Sequence, residues 1–319
     1  MPLPTLPLIA TLASLAAILA AGSLLRLIGL RAAPPQERKS RLASLATWWV
    51  LLIAVSLAAF LGPWGIAIFL LIASLLSLAE FTQILDAHLI GVPAKAIYYA
   101  SPVLLLILTA ANKWPTAHLA APIIFVIALG VARTLQARTE NYLKLTAGLF
   151  WAFFLFAYSP SFALRTVLDA EKIPPAGPAG WFIYATIMTE LNDISQALIG
   201  RKWGLTKITP RVSPNKSLEG LLGGIAGSAI FGIALAPTLT SFFQNRSLVA
   251  GIAISATTGV ILSLAGFLGD LNVSSIKRDA GVKDIGNFVP GQGGALDRMN
   301  SFSYVAPVFY FWVVWVLQA

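Results

Sequence analysis

Long apolar runs broken by short polar segments recur along the whole chain. Runs of about 17–25 residues match the hydrocarbon thickness of a bilayer when coiled as helices. Ten are predicted, near residues 4–23, 43–61, 64–80, 97–112, 119–136, 145–163, 179–199, 218–239, 248–269 and 302–318. Gly62-Pro63 separates the second from the third. The first run has no basic residues before it, and Arg26 and Arg31 follow it, so it is expected to be a retained helix rather than a cleaved signal. Residues 31–42 are expected to form a polar hinge behind it. No internal repeat and no soluble domain stand out. The predicted division is an extra helix and hinge over residues 1–41 and a membrane domain over 42–319. The expected fold class is all-α: a polytopic integral membrane helix bundle with a polar, cytoplasm-facing cavity.

Composition sharpens this picture. Of 319 residues, 57% are hydrophobic and only 11% charged, with a mean hydropathy of +0.80. Soluble domains carry roughly 25% charged residues, so a soluble globular domain is excluded. Cysteine is absent, which excludes a disulfide framework, a thiolate nucleophile and a Cys-based metal site. The two histidines, His88 and His118, lie far in sequence from the densest polar segment, so a His-based zinc site or catalytic triad is not expected.

A net charge of +9 would suggest a nucleic-acid partner, but its distribution points elsewhere. Ten spans place alternate loops on two sides. One side receives Arg26, Arg31, Arg38, Lys39, Arg41, Lys95, Arg133, Arg138, Lys144, Arg201, Lys202, Lys207, Arg211, Lys216, Lys277, Arg278, Lys283 and Arg298, eighteen of the 22 basic residues. The other receives Lys113, Arg165, Lys172 and Arg246. This asymmetry predicts that the basic side is cytoplasmic in the cell (inner) membrane and that both termini face outward. The positive skirt then faces anionic headgroups, with no nucleic acid implied.

Three polar segments stand out on the basic side. Residues 269–301, GDLNVSSIKRDAGVKDIGNFVPGQGGALDRMNS, are read as a long loop. It carries four basic residues, four acidic ones (Asp270, Asp279, Asp284, Asp297) and six glycines. Lys and Arg suit phosphates, carboxylates suit a hard cation, and glycines admit close backbone approach. A solvated charged loop is the bland alternative, against which the tight GQGG turn argues. SPNKSLEG, Ser213 to Gly220, reads two ways: a helix start capped by Ser213 or Ser217, with Glu219 favoured in the first turn, or an anion site in which that helix terminus, two hydroxyls and Lys216 face one phosphate. TELNDISQALIG, Thr189 to Gly200, places Glu190, Asn192 and Asp193 inside an apolar helix, where a carboxylate marks function or snorkels to the interface. Glu80, at the end of the third run, is read as interfacial.

The motif S-x-x-K-R-x4-K-D followed by P-G-x-G-G-x-x-D-R, here Ser274, Lys277, Arg278, Lys283, Asp284, Pro290, Gly291, Gly293, Gly294, Asp297 and Arg298, closely resembles the C-terminal signature of phosphatidate cytidylyltransferases, the CDP-diacylglycerol synthases. Gly269-Asp270-Leu271 matches upstream. SPNKSLEG resembles that family's S-P-x-K-T-x-E-G with Ser217 in place of Thr. Asp193 with Gly200-Arg201 fits its D-x6-G-[RK] segment, and Leu78 to Phe81 resembles its early helix end. The resemblance covers roughly residues 42–319. Two positions depart: Gln292 stands where the family has His, and Asn300 where it has Asp. The pattern is similar to a divergent, paralogous branch.

The resemblance implies CTP and phosphatidic acid, or a related lipid phosphate, as substrates, and CDP-diacylglycerol and pyrophosphate as products. The lipid phosphate is already anionic near neutral pH, so no strong general base is required. The chemistry needs charge neutralisation and in-line positioning. On the resemblance, Asp270 and Asp297 are ligands of Mg²⁺ in a two-metal displacement, with Asn300 as a neutral substitute ligand. Lys277, Arg278, Lys283 and Arg298, with Asp284 beside them, would handle the triphosphate and the lipid phosphate. Asp193, Ser213, Asn215, Lys216, Ser217, Glu219, Gln292, Gly293 and Gly294 would line the substrate cavity. Acyl chains would enter sideways among membrane lipids, and a homodimer is expected. Three alternatives stay open: a catalytically impaired lipid-binding or scaffold paralogue, a cytidylyltransferase for another lipid phosphate, and a transporter. The one-sided clustering of polar residues argues against the last.

Overall fold

The computed structural model describes residues 4–30, 34–111, 115–137, 139–286 and 293–318. Twelve α-helices follow in order: α1 (Leu6–Gly29), α2 (Pro35–Phe60), α3 (Gly62–Phe81), α4 (Val92–Ala110), α5 (Pro115–Leu135), α6 (Tyr142–Phe153), α7 (Ser159–Asp169), α8 (Ala179–Trp203), α9 (Leu218–Leu239), α10 (Leu248–Asp279), α11 (Ala295–Met299) and α12 (Phe302–Gln318). A π-helical turn, Phe154–Tyr158, joins α6 to α7 into one span. Among the described residues, nine stretches are long and apolar enough to cross a membrane. Helix α8 is a tenth of spanning length, at 25 residues, with Glu190, Asn192 and Asp193 in its middle. The all-α, multi-pass membrane bundle expected from the apolar runs is what the chain forms.

The core is built by α8, α9, α10 and α12, with α3 and α7 against them. Apolar burial drives no association inside lipid, so close packing must do so. Small residues allow it: a Cβ at Gly259 of α10 would fall on the Ser228 carbonyl of α9. Stacked and edge-on rings fill the wider gaps, with Trp181 and Tyr184 of α8 meeting Phe242 and Phe309. Helix α1 is mostly exposed and touches only α2 and α9 among the better-packed pairs. The expected hinge is shorter than the pattern implied, because α2 already begins at Pro35.

The largest departure from the sequence reading lies at residue 270. The long polar segment is not a loop at its start: α10 runs ten residues beyond the predicted end. Its buried positions Gly266, Gly269, Val273 and Lys277 recur at helical spacing, so the packed face continues past the apolar run. The helix stops where Gly281 takes φ +72°. Val282 N–H then donates to the Lys277 carbonyl, satisfying an end that no further turn can reach.

Candidate active site

Helix α10 presents Asp270 and Lys277 seven residues apart, two turns along one face and roughly 10 Å in axial rise. Each meets an opposite charge from another element. Lys216, from the segment before α9, places Nζ 2.9 Å from Asp270 Oδ2. Lys277 Nζ lies 2.7 Å from Asp297 Oδ1 on α11. Asn300 Nδ2 donates to Asp270 Oδ1 at 2.6 Å. Ser301 Oγ donates to Asp193 Oδ2 at 2.8 Å, joining α8 to the start of α12.

A buried polar ladder supports Lys216. Its Nζ also donates to Gln196 Oε1 at 3.1 Å and sits 5.4 Å from the Phe267 ring centroid. Gln196 Nε2 donates to Asn192 Oδ1, which also accepts from Ser228 Oγ and Ser263 Oγ. Asn192 is only 1% exposed. Its acceptor oxygen therefore ties α8, α9 and α10 together where an unpaired amide would cost several kcal/mol in lipid. Beside this ladder opens a cavity of about 530 Å³, lined by Asp193, Gln196, Arg201, Lys207, Ser213 and Lys216 among others. Three cationic side chains face that one space.

The loop between α8 and α9 folds back on itself. Lys207 and Ser217 form an antiparallel bridge. Ser217 is the N-cap of α9, accepting from Gly220 N–H at 3.1 Å, which decides between the two serines as caps. Both Glu219 oxygens accept from Thr206 N–H.

Residues 42–316 match the profile of the Cytidylyltransferase family. Over 304 residues the chain is 30% identical to the Escherichia coli K12 protein YnbB, itself described as uncharacterized, covering 95% of this chain and 97% of that one. It is 29% identical over 278 residues to a phosphatidate cytidylyltransferase of Synechocystis sp., covering 81% and 91%. A phosphatidate cytidylyltransferase of Staphylococcus haemolyticus is 40% identical over 128 residues, covering 40% of this chain and 46% of that one.

The chain belongs to the cytidylyltransferase family. It is a nucleotidyltransferase of the membrane.

In this cytidylyltransferase the expected site residues fall into three groups. Asp270, Lys216, Asn300, Lys277, Asp297 and Asp193 form the linked pairs described above, with Ser301 as the unforeseen partner of Asp193. Ser213, Asn215, Lys216, Ser217 and Asp193 line the cavity, while Gly293 and Gly294 lead directly into α11. A Cβ at Gly293, which holds φ +83°, would fall on Asp297 Oδ2, so this position requires glycine. Arg298 is half-buried on α11. The third group has other work. Arg278 is exposed and donates to the carbonyls of Val212 and Val282, tying the two polar segments together. Glu219 holds the Thr206 backbone. Lys283 and Asp284 are exposed beyond the end of α10. Gln292 lies outside the described residues.

The family generally uses a divalent metal. Asp270 and Asp297 fit one as hard oxygen donors. Each carboxylate accepts two N–H groups and has about four lone-pair sites, so acceptor capacity remains. Asn300 is held differently in this structure. Its Oδ1 accepts from Ser301 N–H at 2.7 Å, and its amide nitrogen faces Asp270. Among the described residues no group of three or more His, Cys, Asp or Glu gathers around one point. Substrate phosphates and water would complete the shell, as is usual for Mg²⁺.

Two contributors escaped sequence reasoning. Gln196 reads as an ordinary helix polar, and only the three-helix packing shows that it joins Asn192, already marked with Glu190 and Asp193, in supporting Lys216. Glu80, expected at the interface, is buried, and its oxygens accept from Ala295 N–H and Leu296 N–H. A carboxylate ending an otherwise apolar helix was the available signal.

Proposed function

We propose that this chain transfers the cytidylyl group of CTP to phosphatidate, giving CDP-diacylglycerol and pyrophosphate, at the cytoplasmic face of the cell membrane. One observation carries the reading: two lysine–aspartate pairs on one face of α10, each bridging separate elements, beside a cavity lined by Arg201, Lys207 and Lys216. Two polyanions must meet here, and their mutual repulsion is the main barrier to encounter.

A phosphate oxygen of the lipid attacks the α-phosphorus of CTP, and the bond to the bridging oxygen of pyrophosphate breaks. Lys216, Arg201 and Lys207 receive the triphosphate in the cavity. Lys277, with Arg298, faces the phosphate that enters between α10 and α11. Lysine suits this role because its compact charge on a flexible stem can exchange a carboxylate partner for a phosphate. The Gln196–Asn192 ladder keeps the Lys216 stem in place. Asp270 and Asp297 would hold Mg²⁺, which when bound neutralises phosphate charge and polarises the phosphoryl oxygens. Residues 1–41 are read as an appended helix outside the reacting domain.

A second reading has one observation in its favour. Asp270 is held on both oxygens, by Lys216 and Asn300, which suits an impaired paralogue that binds lipid without turnover. Pyrophosphate release from CTP and Mg²⁺ across a panel of lipid phosphates separates the readings. Turnover with phosphatidate is expected. Turnover confined to another lipid phosphate would change the acceptor, and none with any would favour the second reading. Sidedness is tested separately: single cysteines at Ser213 and Lys283 are expected to react with an impermeant thiol reagent from the cytoplasmic side only. The absence of native cysteine makes the background clean. Ser301, at 1% exposure, is unsuitable for labelling.

A further inference from the structure

Glu80 closes α3, yet its side chain belongs to the other end of the sequence. It is 6% exposed. Oε1 accepts from Ala295 N–H at 3.0 Å and Oε2 from Leu296 N–H at 2.8 Å. These are the first two amides of α11, groups that a helix cannot satisfy internally. The seat is shaped for a carboxylate. A Cβ at Gly286 or at Gly294 would fall on the Glu80 carboxylate, and Gly286 holds φ +76°. Two glycines, one before and one within the P-G-x-G-G part of the signature, thus leave room for one acid from α3. Burying that acid is costly unless its charge is met by donors, and the paired amides meet it. In the same turn, the residue after Leu296, Asp297, reaches Lys277. An interfacial snorkelling acid would need neither the glycines nor the bidentate contact.

We infer that Glu80 is a positioning residue for cytidylyl transfer: from α3 it anchors the first turn of α11, so that Asp297 and Arg298 are presented toward Lys277 and the reacting phosphates. This rests on the proposed reaction. Glu80 itself touches no substrate. Both its oxygens accept from backbone amides, and its effect passes through α11. Helix α11 packs against α3 with Leu296 fully buried, and the carboxylate adds a directional, two-bond contact to that packing.

The test uses the full chain in lipid nanodiscs with Glu80→Gln and Glu80→Asp. Gln keeps the volume but turns an NH₂ group toward a backbone N–H, breaking one of the two bonds. Asp keeps the charge and shortens the reach. Amide hydrogen exchange is measured over 293–299, and kcat and KM for phosphatidate are measured alongside. Exchange there is expected to rise roughly tenfold in Glu80→Gln, with α8 and α9 unchanged. kcat should fall about tenfold or more while KM stays within about twofold, since a misplaced Asp297 weakens the transition state rather than lipid binding. Glu80→Asp should recover part of both. Unchanged exchange at 293–299 would overturn the inference whatever the activity, as would faster exchange with wild-type kcat. An inactive wild-type protein would remove the reaction itself. Faster exchange in Glu80→Gln would then still support the anchoring of α11 by Glu80.

Discussion

Arg165 and Asp169 pair four residues apart on α7, whereas Lys277 and Asp297 pair across twenty residues from α10 to α11. Burial does not separate them: the side chains are 7% and 20% exposed in the first pair, 11% and 12% in the second. Connectivity does. The first pair closes within one helix, and Tyr310 Oη donates to Asp169 at 2.9 Å, stapling α7 to α12. His118 meets Ser161 at 2.8 Å nearby, again with packed rings around it. The second pair spans two elements, lies on the same α10 face as Lys216–Asp270, and that neighbour borders a cavity. A buried charge in a membrane protein is a default pointer to function. The two pairs therefore lead to different predictions: the α7 pair is expected to act on stability, the α10 pairs on turnover.

Substitutions break this comparison most forcefully at the α10 face. Asp270→Asn or Asp297→Asn is expected to cut cytidylyl transfer by about a thousandfold or more, roughly 4 kcal/mol of transition-state stabilisation, while the protein still elutes as a folded species. Near-normal turnover in either variant would remove that carboxylate from the reaction.

The α7 pair should respond in the opposite sense. Arg165→Met leaves the Asp169 charge buried and is expected to cost about 3 kcal/mol of stability, read as a lower Tm in detergent. Turnover per folded molecule should stay within about twofold. Loss of turnover at unchanged Tm would show that the staple reaches the site.

A smaller effect sharpens the comparison inside the site. Asn300→Asp replaces an amide donor to Asp270 with a second carboxylate, so the two charges need a cation between them. Its Tm should fall without Mg²⁺ and return when Mg²⁺ is added. The Mg²⁺ concentration for half-maximal activity should drop roughly tenfold, about 1.4 kcal/mol. A Tm insensitive to Mg²⁺ would mean that position 300 does not border the metal.

Much of the fold was legible because the membrane enforces it: nine spans among the described residues are long and apolar, and the polar signature at 269–301 stands out against that background. The end of α10 was not legible. Hydropathy falls at Asp270, but the helix persists because Val273 and Lys277 keep packing on the face begun by Gly266. The support for Lys216 was hidden for a related reason. Asn192 stands out only as one of three polar residues in an apolar helix, and Gln196 differs little from a surface polar, until three helices converge on one amide. Glu80 escaped because its partners are backbone amides more than two hundred residues away, which no side-chain pattern records.

The central claim is that the α10 face transfers a cytidylyl group rather than merely binding lipid. CTP labelled either at the α-phosphate or at the γ-phosphate, incubated with phosphatidate, Mg²⁺ and the purified protein, tests it directly. The account predicts that α-label moves into the lipid fraction while γ-label appears as pyrophosphate in equal amount, and that Asp270→Asn abolishes both. Lipid that remains unlabelled with every phosphate acceptor, in a folded protein, would contradict it.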